Sequence, residues 1–467
     1  MPERLPDQLR RELGLWSAVA IVIGTVIGSG IFLVPKTMIQ RVGSTEMLFA
    51  VWIFSGLLSL AGALTYGELA AAMPEAGGEY VYLREAYGPL WGFLYGWTQM
   101  WVAKSGSVAT LATAFFYYLS TFRPELERVL WVVGLPIGPK GGPLEIRAGQ
   151  LLAMAVILLL GWLNYFWVKL GGRIQVAVTA VKVGSLAAII FLGLSSGQGS
   201  TANYGSSIPA AAGLGGFFAA MVAALWAYDG WNNVAMVASE IRNPQRNLPV
   251  ALVTGTITVI AIYVLTNVAY FYVLSAAEVA ASDRVAATMM ERILGQPGAA
   301  AVSIAAMISI FAALNGSILT GSRVPYAMAR DGVFFSRLAG VHPRHHTPAA
   351  SILLLSAWSA LLVLSGRYEE LFTYVIFASW ILYGMATAAV VVLRSKRPDL
   401  ARPYRTPGYP AVPVLFVAVA ICLLFSTLLE SPRESVLGLV IIFAGVPYYM
   451  YCKWQAGRGV SAGSPEA

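Results

Sequence analysis

Twelve long stretches of mainly apolar side chains, nearly free of charge, constrain this chain more than any other feature. They fall at 15–40, 46–73, 88–121, 148–167, 173–195, 214–238, 249–274, 299–329, 348–364, 370–393, 411–429 and 434–452. A bilayer core about 30 Å thick takes about 20 helical residues per crossing, whereas a barrel strand needs only about ten alternating ones. The reading is an all-α polytopic membrane protein with twelve transmembrane helices. Composition agrees: 58% of the 467 residues are hydrophobic and 12% are charged, where a soluble domain carries about a quarter charged residues. That balance excludes a soluble enzyme, a disordered chain and a nucleic-acid binder. The two cysteines, Cys422 and Cys452, make neither a disulfide framework nor a metal site. The start, MPERLPDQLRREL, is charged, and the run after it has no small-residue cleavage site, so no cleavable signal peptide is expected.

An even number of spans puts both termini on one side, and the basic residues choose which side. Most of the lysines and arginines fall on the side of the termini, among them Arg10, Arg11, Arg84, Arg242, Arg246, Arg323, Arg330, Arg394, Arg397 and Arg402. Both termini are therefore expected in the cytoplasm of a cell whose plasma membrane the chain spans. The bias also accounts for the net charge of +8 without a polyanionic partner. In this division, 1–14 is a cytoplasmic N-terminus and 15–195 a first group of five spans. A second group of five occupies 214–393, two more helices lie in 411–452, and 453–467 is a polar, disordered cytoplasmic tail. The loop 122–147, with PIGPKGGP, reads as irregular, and the amphipathic loop 275–298 as short helices over the outer face.

Two spans should break. The first, LWSAVAIVIGTVIGSGIFLVPK, has Gly24, Gly28, Ser29 and Gly30 at its middle. Each glycine costs a helix about 1 kcal/mol, and unwound backbone survives in lipid only where it is buried or lines a cavity. The same glycines also fit a close-packing face between helices. The sixth span, FFAAMVAALWAYDGWNNVAMVASE, centres on Asp229 and Gly230, and an ionisable residue at mid-membrane is a functional candidate. Each broken span opens a group of five, and an odd number of spans inverts the second group relative to the first. Paired breaks of this kind point to a transporter site at the midplane. The freed N–H groups around Ser29, Gly30 and Ile31 open a half-helix whose dipole favours a carboxylate. Freed carbonyls near Val26, Trp226 and Asp229 would accept bonds from an ammonium. An α-amino acid satisfies both sets.

GSGIF in the first span, WAYDGW in the sixth and SEIRNPQRNLP after it resemble the amino acid–polyamine–organocation (APC) superfamily. Within it they resemble most the L-type amino acid transporters of prokaryotic type. MPEAGGEYVYLREAYG, RIQVAVTAVKV and NGSILTGSRVPYAMARDG extend the likeness over about residues 14 to 410. The resemblance implies a LeuT-like 5+5 inverted repeat plus two extra helices, with the first and sixth unwound at the midplane. It implies carboxylate binding at Gly28, Ser29 and Gly30, an ammonium-accepting carbonyl at Val26, and Trp226 as an aromatic lid over the substrate. Lys182 matches the fifth-helix lysine of sodium-independent members. At Asp229 many members carry a small neutral residue. The outer loop 122–147 has no cysteine, so no disulfide-linked heavy chain is expected.

Other polar residues are open to bland readings as well. Lys182, centred in an apolar span, could reach carbonyls of the first helix, with Asn315 as a neighbour; Asn315 could equally serve helix–helix bonding. Lys104 lines the pathway or makes a structural hydrogen bond. Glu68 bonds backbone at a packing contact. Glu240 and Arg242 form an inner-gate pair or merely cap a loop. His342, His345 and His346 read as solvated loop residues. No Walker A stretch, metal-ligand cluster or nucleophile–base set occurs, so the chain is not expected to be an enzyme or to need a cofactor. The functions that remain are a secondary transporter of neutral L-amino acids by alternating access, as a sodium-independent exchanger, and several alternatives. These are a cationic amino acid or polyamine carrier with Asp229 reading positive charge, a proton-coupled symporter, and a channel or sensor.

Overall fold

The computed structural model describes residues 9–134, 142–166, 168–210, 213–365 and 368–461. The PIGPKGGP run and the last six residues of the tail fall largely or wholly outside them. Among the described residues, eight helices are long and apolar enough to cross a membrane, and nine if the bent pair Leu15–Val26 and Gly30–Val42 counts as one span. Two apolar helices are shorter, Leu214–Tyr228 and Ala349–Val363.

The first span breaks where its glycines cluster. Helix Leu15–Val26 ends at Ile27, whose ψ of 89° is not helical, and a second helix starts at Gly30 at an angle of 41° to the first. The sixth does the same: Leu214–Tyr228 stops at Asp229, which is extended at ψ 143°. Gly230 follows at φ +105°, a left-handed conformation that glycine adopts without steric cost. A short helix, Asn233–Met236, and the turn Ala238–Glu240 complete that span.

The third run is long because it holds two helices around a π-turn. Pro89–Thr98 passes through Gln99–Ala103 into Lys104–Leu119, a device often found at functional sites. The remaining long helices are Thr45–Ala72, Ala148–Phe166, Val168–Ser195, Pro244–Val273, Gln296–Gly321, Tyr368–Lys396 and Ala411–Glu430. The helix Glu79–Tyr87 fills the connection after the second span. Ala276–Ala281 and Val285–Leu294 are the short helices expected in 275–298. Two expectations change. The loop 122–147 carries an antiparallel hairpin, Val129–Val133 with Leu144–Arg147, rather than irregular chain alone. The final helix, Gly445–Ser461, runs past Trp454 into the stretch expected to be a disordered tail.

Burial sorts the helices into a centre and a rim. In the span Gln296–Arg330, 72% of the apolar window is buried, against 28% in Ala411–Glu430 and 22% in Ser435–Gln455. The first span is buried almost throughout its middle, from Ala20 to Phe32. The two broken helices therefore lie in the interior, where unpaired backbone is tolerated.

Candidate functional site

The two breaks touch. A Cβ built on Gly30 would come within 2.6 Å of both Cα and Cβ of Ala227, and one on Gly28 within 3.1 Å of the Leu111 side chain. The glycines thus serve both readings at once: they let the first helix open, and they let its second half lie against the sixth. A substitution at Gly30 consequently reports on packing before it reports on ligand. Gly30→Ala is expected to lower stability by about 1–3 kcal/mol through overpacking, read as a lower midpoint of thermal aggregation. An unchanged midpoint would mean that the sixth helix can step aside.

At the open turn, the N–H groups from Gly28 to Ile31 have no backbone acceptor among the described residues. Ser29 Oγ is buried and has no hydrogen-bond partner there either. Four donors and a hydroxyl thus stand at the positive end of helix Gly30–Val42, an arrangement that receives an anion. Ile31 itself is fully buried. Trp226 is 8% exposed, one residue before the Ala227 that Gly30 approaches.

The freed carbonyls have partners. Lys182 Nζ donates to Gly24 O at 2.8 Å and Ile27 O at 2.5 Å, as the lysine's position in the fifth span led one to expect. Ser309 Oγ, from helix Gln296–Gly321, also donates to Ile27 O, at 3.0 Å. The Tyr263 hydroxyl lies 3.0 Å from Val26 O and 2.9 Å from Ala227 O, one proton shared between the two broken helices. Thr25 Oγ1 reaches Gly230 O at 3.0 Å. Tyr263→Phe removes the link between Val26 and Ala227 while leaving the ring in place. Transport is expected to fall severalfold with insertion preserved, as initial uptake per inserted molecule would show.

Asn315 is hydrogen-bonded to other amides rather than to the lysine ammonium. Its side chain donates to Gln175 Oε1 at 3.2 Å and accepts from Asn164 Nδ2 at 2.8 Å, a chain of amides across three helices. This corrects its assignment as a coupling partner of Lys182, for which Ser309 is the residue that shares an acceptor. Asp229 Oδ1 accepts from the Tyr383 hydroxyl at 3.0 Å. Lys104 is buried, donates to Asn233 Oδ1 at 2.7 Å, and feels the charges of Asp229 and Glu79. Glu79 accepts from Tyr95 at 2.9 Å and from the Asn232 amide. The two asparagines after the break are thereby held by different elements, one by the connecting helix and one by the third span. In the sequence the signal for this is a single carboxylate, Glu79 in GGEY.

On the side of the termini, Glu240 pairs with Arg323 rather than with Arg242. Nε–Oε1 is 2.7 Å and Nη2–Oε2 is 2.9 Å, with both side chains buried. Arg242 points its Nε at the carbonyl of Arg11. The chain before the first span joins here too, with Leu13 N donating to Glu240 O and Arg242 N to Leu13 O. Beside this pair opens a cavity of about 490 Å³ whose lining includes Arg11, Arg84, Ser239, Tyr326, Arg330 and Asp331. Glu68 accepts two bonds from Arg394 and one from Thr406 N, the packing role expected of it. His342 Nδ1 accepts the N–H groups of Arg344 and His345 within its loop. Among the described residues, no group of His, Cys, Asp and Glu is placed to hold a metal ion.

Two interrupted helices in contact at the centre of a helical bundle, with donors on one side and tethered carbonyls on the other, define a secondary transporter of small zwitterions. The comparisons agree with that class. Residues 13–450 match the amino acid permease family. The b(0,+)-type amino acid transporter 1 of Homo sapiens is 34% identical over 444 residues, covering 94% of this chain and 88% of that one. The cystine/glutamate transporter of Homo sapiens is 32% identical over 96% of this chain and 86% of its own length. The serine/threonine exchanger SteT of Bacillus subtilis is 33% identical over 94% of this chain and 96% of its own. The chain belongs to the amino acid permeases of the APC superfamily. It is a multi-pass membrane protein and a secondary amino-acid transporter working by alternating access, not an enzyme.

Proposed function

We propose that the protein exchanges neutral L-amino acids across the plasma membrane without sodium, using twelve spans in a LeuT-like 5+5 inverted repeat plus two helices, with both termini cytoplasmic. The observation that carries this reading is the unpartnered anion-binding turn at Gly28, Ser29, Gly30 and Ile31, packed against the sixth helix next to Trp226. The substrate carboxylate takes the free N–H groups and Ser29 Oγ. Its ammonium takes carbonyl lone pairs at Val26, Trp226 and Asp229. The bent first pair, the two shorter apolar helices and the π-interrupted third run support a count of twelve, because each occupies one of the expected stretches. The paired relation of Glu240 and Arg323 suits an inner gate, with the nearby cavity as its cytoplasmic mouth. With no cysteine in the loop 122–147, we propose no disulfide-linked heavy chain.

A neutral substrate is favoured over a cationic one by the surroundings of Asp229. Its carboxylate already accepts the Tyr383 hydroxyl at 3.0 Å, so it is not a bare anion awaiting a cationic side chain. The names of the mammalian relatives keep the broader specificity in view. Competition by a panel of amino acids against uptake into proteoliposomes decides between them: serine, threonine, alanine and leucine should compete, and arginine and glutamate should not. Inhibition by arginine at the same concentrations would replace the neutral reading with the cationic one. Proton coupling is tested in the same vesicles by an imposed pH gradient, which should leave exchange unchanged.

Trp226 is proposed as the lid over the substrate from the outside. Trp226→Ala is expected to reduce uptake much more than it reduces insertion, and Trp226→Phe to keep part of the activity. If both variants transport like the parent, the lid lies elsewhere.

A further inference from the structure

The loop between Lys104–Leu119 and Ala148–Phe166 carries a surface that transport does not explain. Its strand Val129–Val133 reads VLWVV, and all five residues are exposed, Trp131 at 57% and Val132 at 62%. Contiguous exposed apolar surface of this kind marks an interaction site. Among the described residues the strand Leu144–Arg147 packs on the head of helix Ala148–Phe166, against which the turn Pro124–Glu127 also packs. Ala148 N donates to Arg128 O at 3.1 Å, and Arg147 N to Gln150 Oε1 at 2.6 Å, so both strands are clamped where that helix begins. The outward face of the same helix, with Leu151, Leu158, Leu159 and Trp162, is exposed and apolar, which in a membrane protein is the surface given to lipid.

We propose that this hairpin docks on the bilayer, on the side away from the termini, and lays the face that carries Trp131 and Val133 into the boundary between headgroups and acyl chains, with Trp131 as its anchor. Continuity with the lipid-facing side of Ala148–Phe166 selects lipid as the occupant. Chemistry sets the depth. A two-stranded sheet has free N–H and C=O groups along both edges, which hydrocarbon cannot satisfy. The hairpin therefore stays about 15 Å from the midplane, where indole rings are favoured. Trp131 and Val133 lie opposite Ile146 and Leu144 and share one apolar face with them, whereas Glu145, opposite Val132, lies on the other face and stays toward water. An isolated two-stranded hairpin is marginal in water, and the bilayer supplies the apolar partner that the protein does not.

The test uses the full chain in phosphatidylcholine–phosphatidylglycerol vesicles, with Cys422→Ser and Cys452→Ser as background. Trp131→Cys carries an environment-sensitive fluorophore, and Leu159→Cys, on the outward face of the helix, serves as the deep reference. Lipids bearing a nitroxide near the headgroup should quench position 131 more than lipids bearing it at the chain end, and the order should reverse at position 159. Emission at 131 should also shift to shorter wavelength, and Val133→Glu, on the same face as Trp131, should weaken the shallow quenching. Water-like emission without quenching at 131 would overturn the proposal. So would shielded emission that neither nitroxide lipid quenches, because that would place a protein, such as a second copy of this chain, on the strand.

Discussion

Lys182→Ala is expected to lower turnover roughly tenfold or more, while most of the protein still folds and inserts; tenfold corresponds to about 1.4 kcal/mol in a barrier. The ammonium holds Gly24 O and Ile27 O, the carbonyls that the break in the first helix sets free. Removing it leaves Gly24 O without that donor, whereas Ile27 O keeps Ser309 Oγ at 3.0 Å. A buried carbonyl left unpaired costs about 1–3 kcal/mol, enough to disturb the turn without unfolding a bundle of this size. The loss should fall on the transition between states, because the lysine ties the fifth helix to the element that carries the proposed carboxylate site. Lys182→Met, which keeps length and loses the donors, should behave like the alanine variant. Uptake per inserted molecule and a thermal unfolding midpoint separate the two effects. Wild-type turnover in either variant would remove the lysine from the mechanism.

Breaking the Glu240–Arg323 pair should have the largest effect on stability of any single change. Each side chain is buried, and removing one partner leaves an uncompensated charge, which costs about 3–5 kcal/mol. Arg323→Met should therefore insert poorly and aggregate at markedly lower temperature. The double change Glu240→Gln with Arg323→Met should recover much of that loss, because no bare charge remains. The proposed gate should not recover. Ser239→Cys, beside Glu240 and lining the cavity, should react faster with a polar thiol reagent in the double variant than in the parent, both built on Cys422→Ser and Cys452→Ser. Equal reaction rates would show that the pair stabilises the fold without closing the path, and a double variant as unstable as Arg323→Met would contradict the charge argument.

Local chemistry was legible in the sequence; pairing across the bundle was much less so. Three glycines within seven residues announced the break in the first span, and Asp229-Gly230 announced the second, since each acts on its own backbone. Lys182 was legible because an ammonium in an apolar span has few acceptors to choose from, and the broken helix offers them. Asn315 was not, since the rotation of its helix decides which neighbour it meets, and the fifth helix presents Gln175 there. Arg323 was counted with the loop cations because it stands at the very end of a span, where sequence cannot tell a buried pair from a solvated charge. Tyr263 gave only a weak signal, one of several hydroxyls in a long apolar run, and its role rests on two carbonyls 36 and 237 residues away.

The central claim is sodium-independent exchange of neutral amino acids at the turn Gly28–Ile31, and counterflow tests it most directly. Proteoliposomes loaded with unlabelled serine, in choline buffer free of sodium, are given labelled serine outside, with empty vesicles as the comparison. Strong stimulation by internal serine, unchanged when sodium is restored and absent with internal arginine, is the predicted result. Uptake that requires sodium, or that is indifferent to what the vesicle contains, would contradict it.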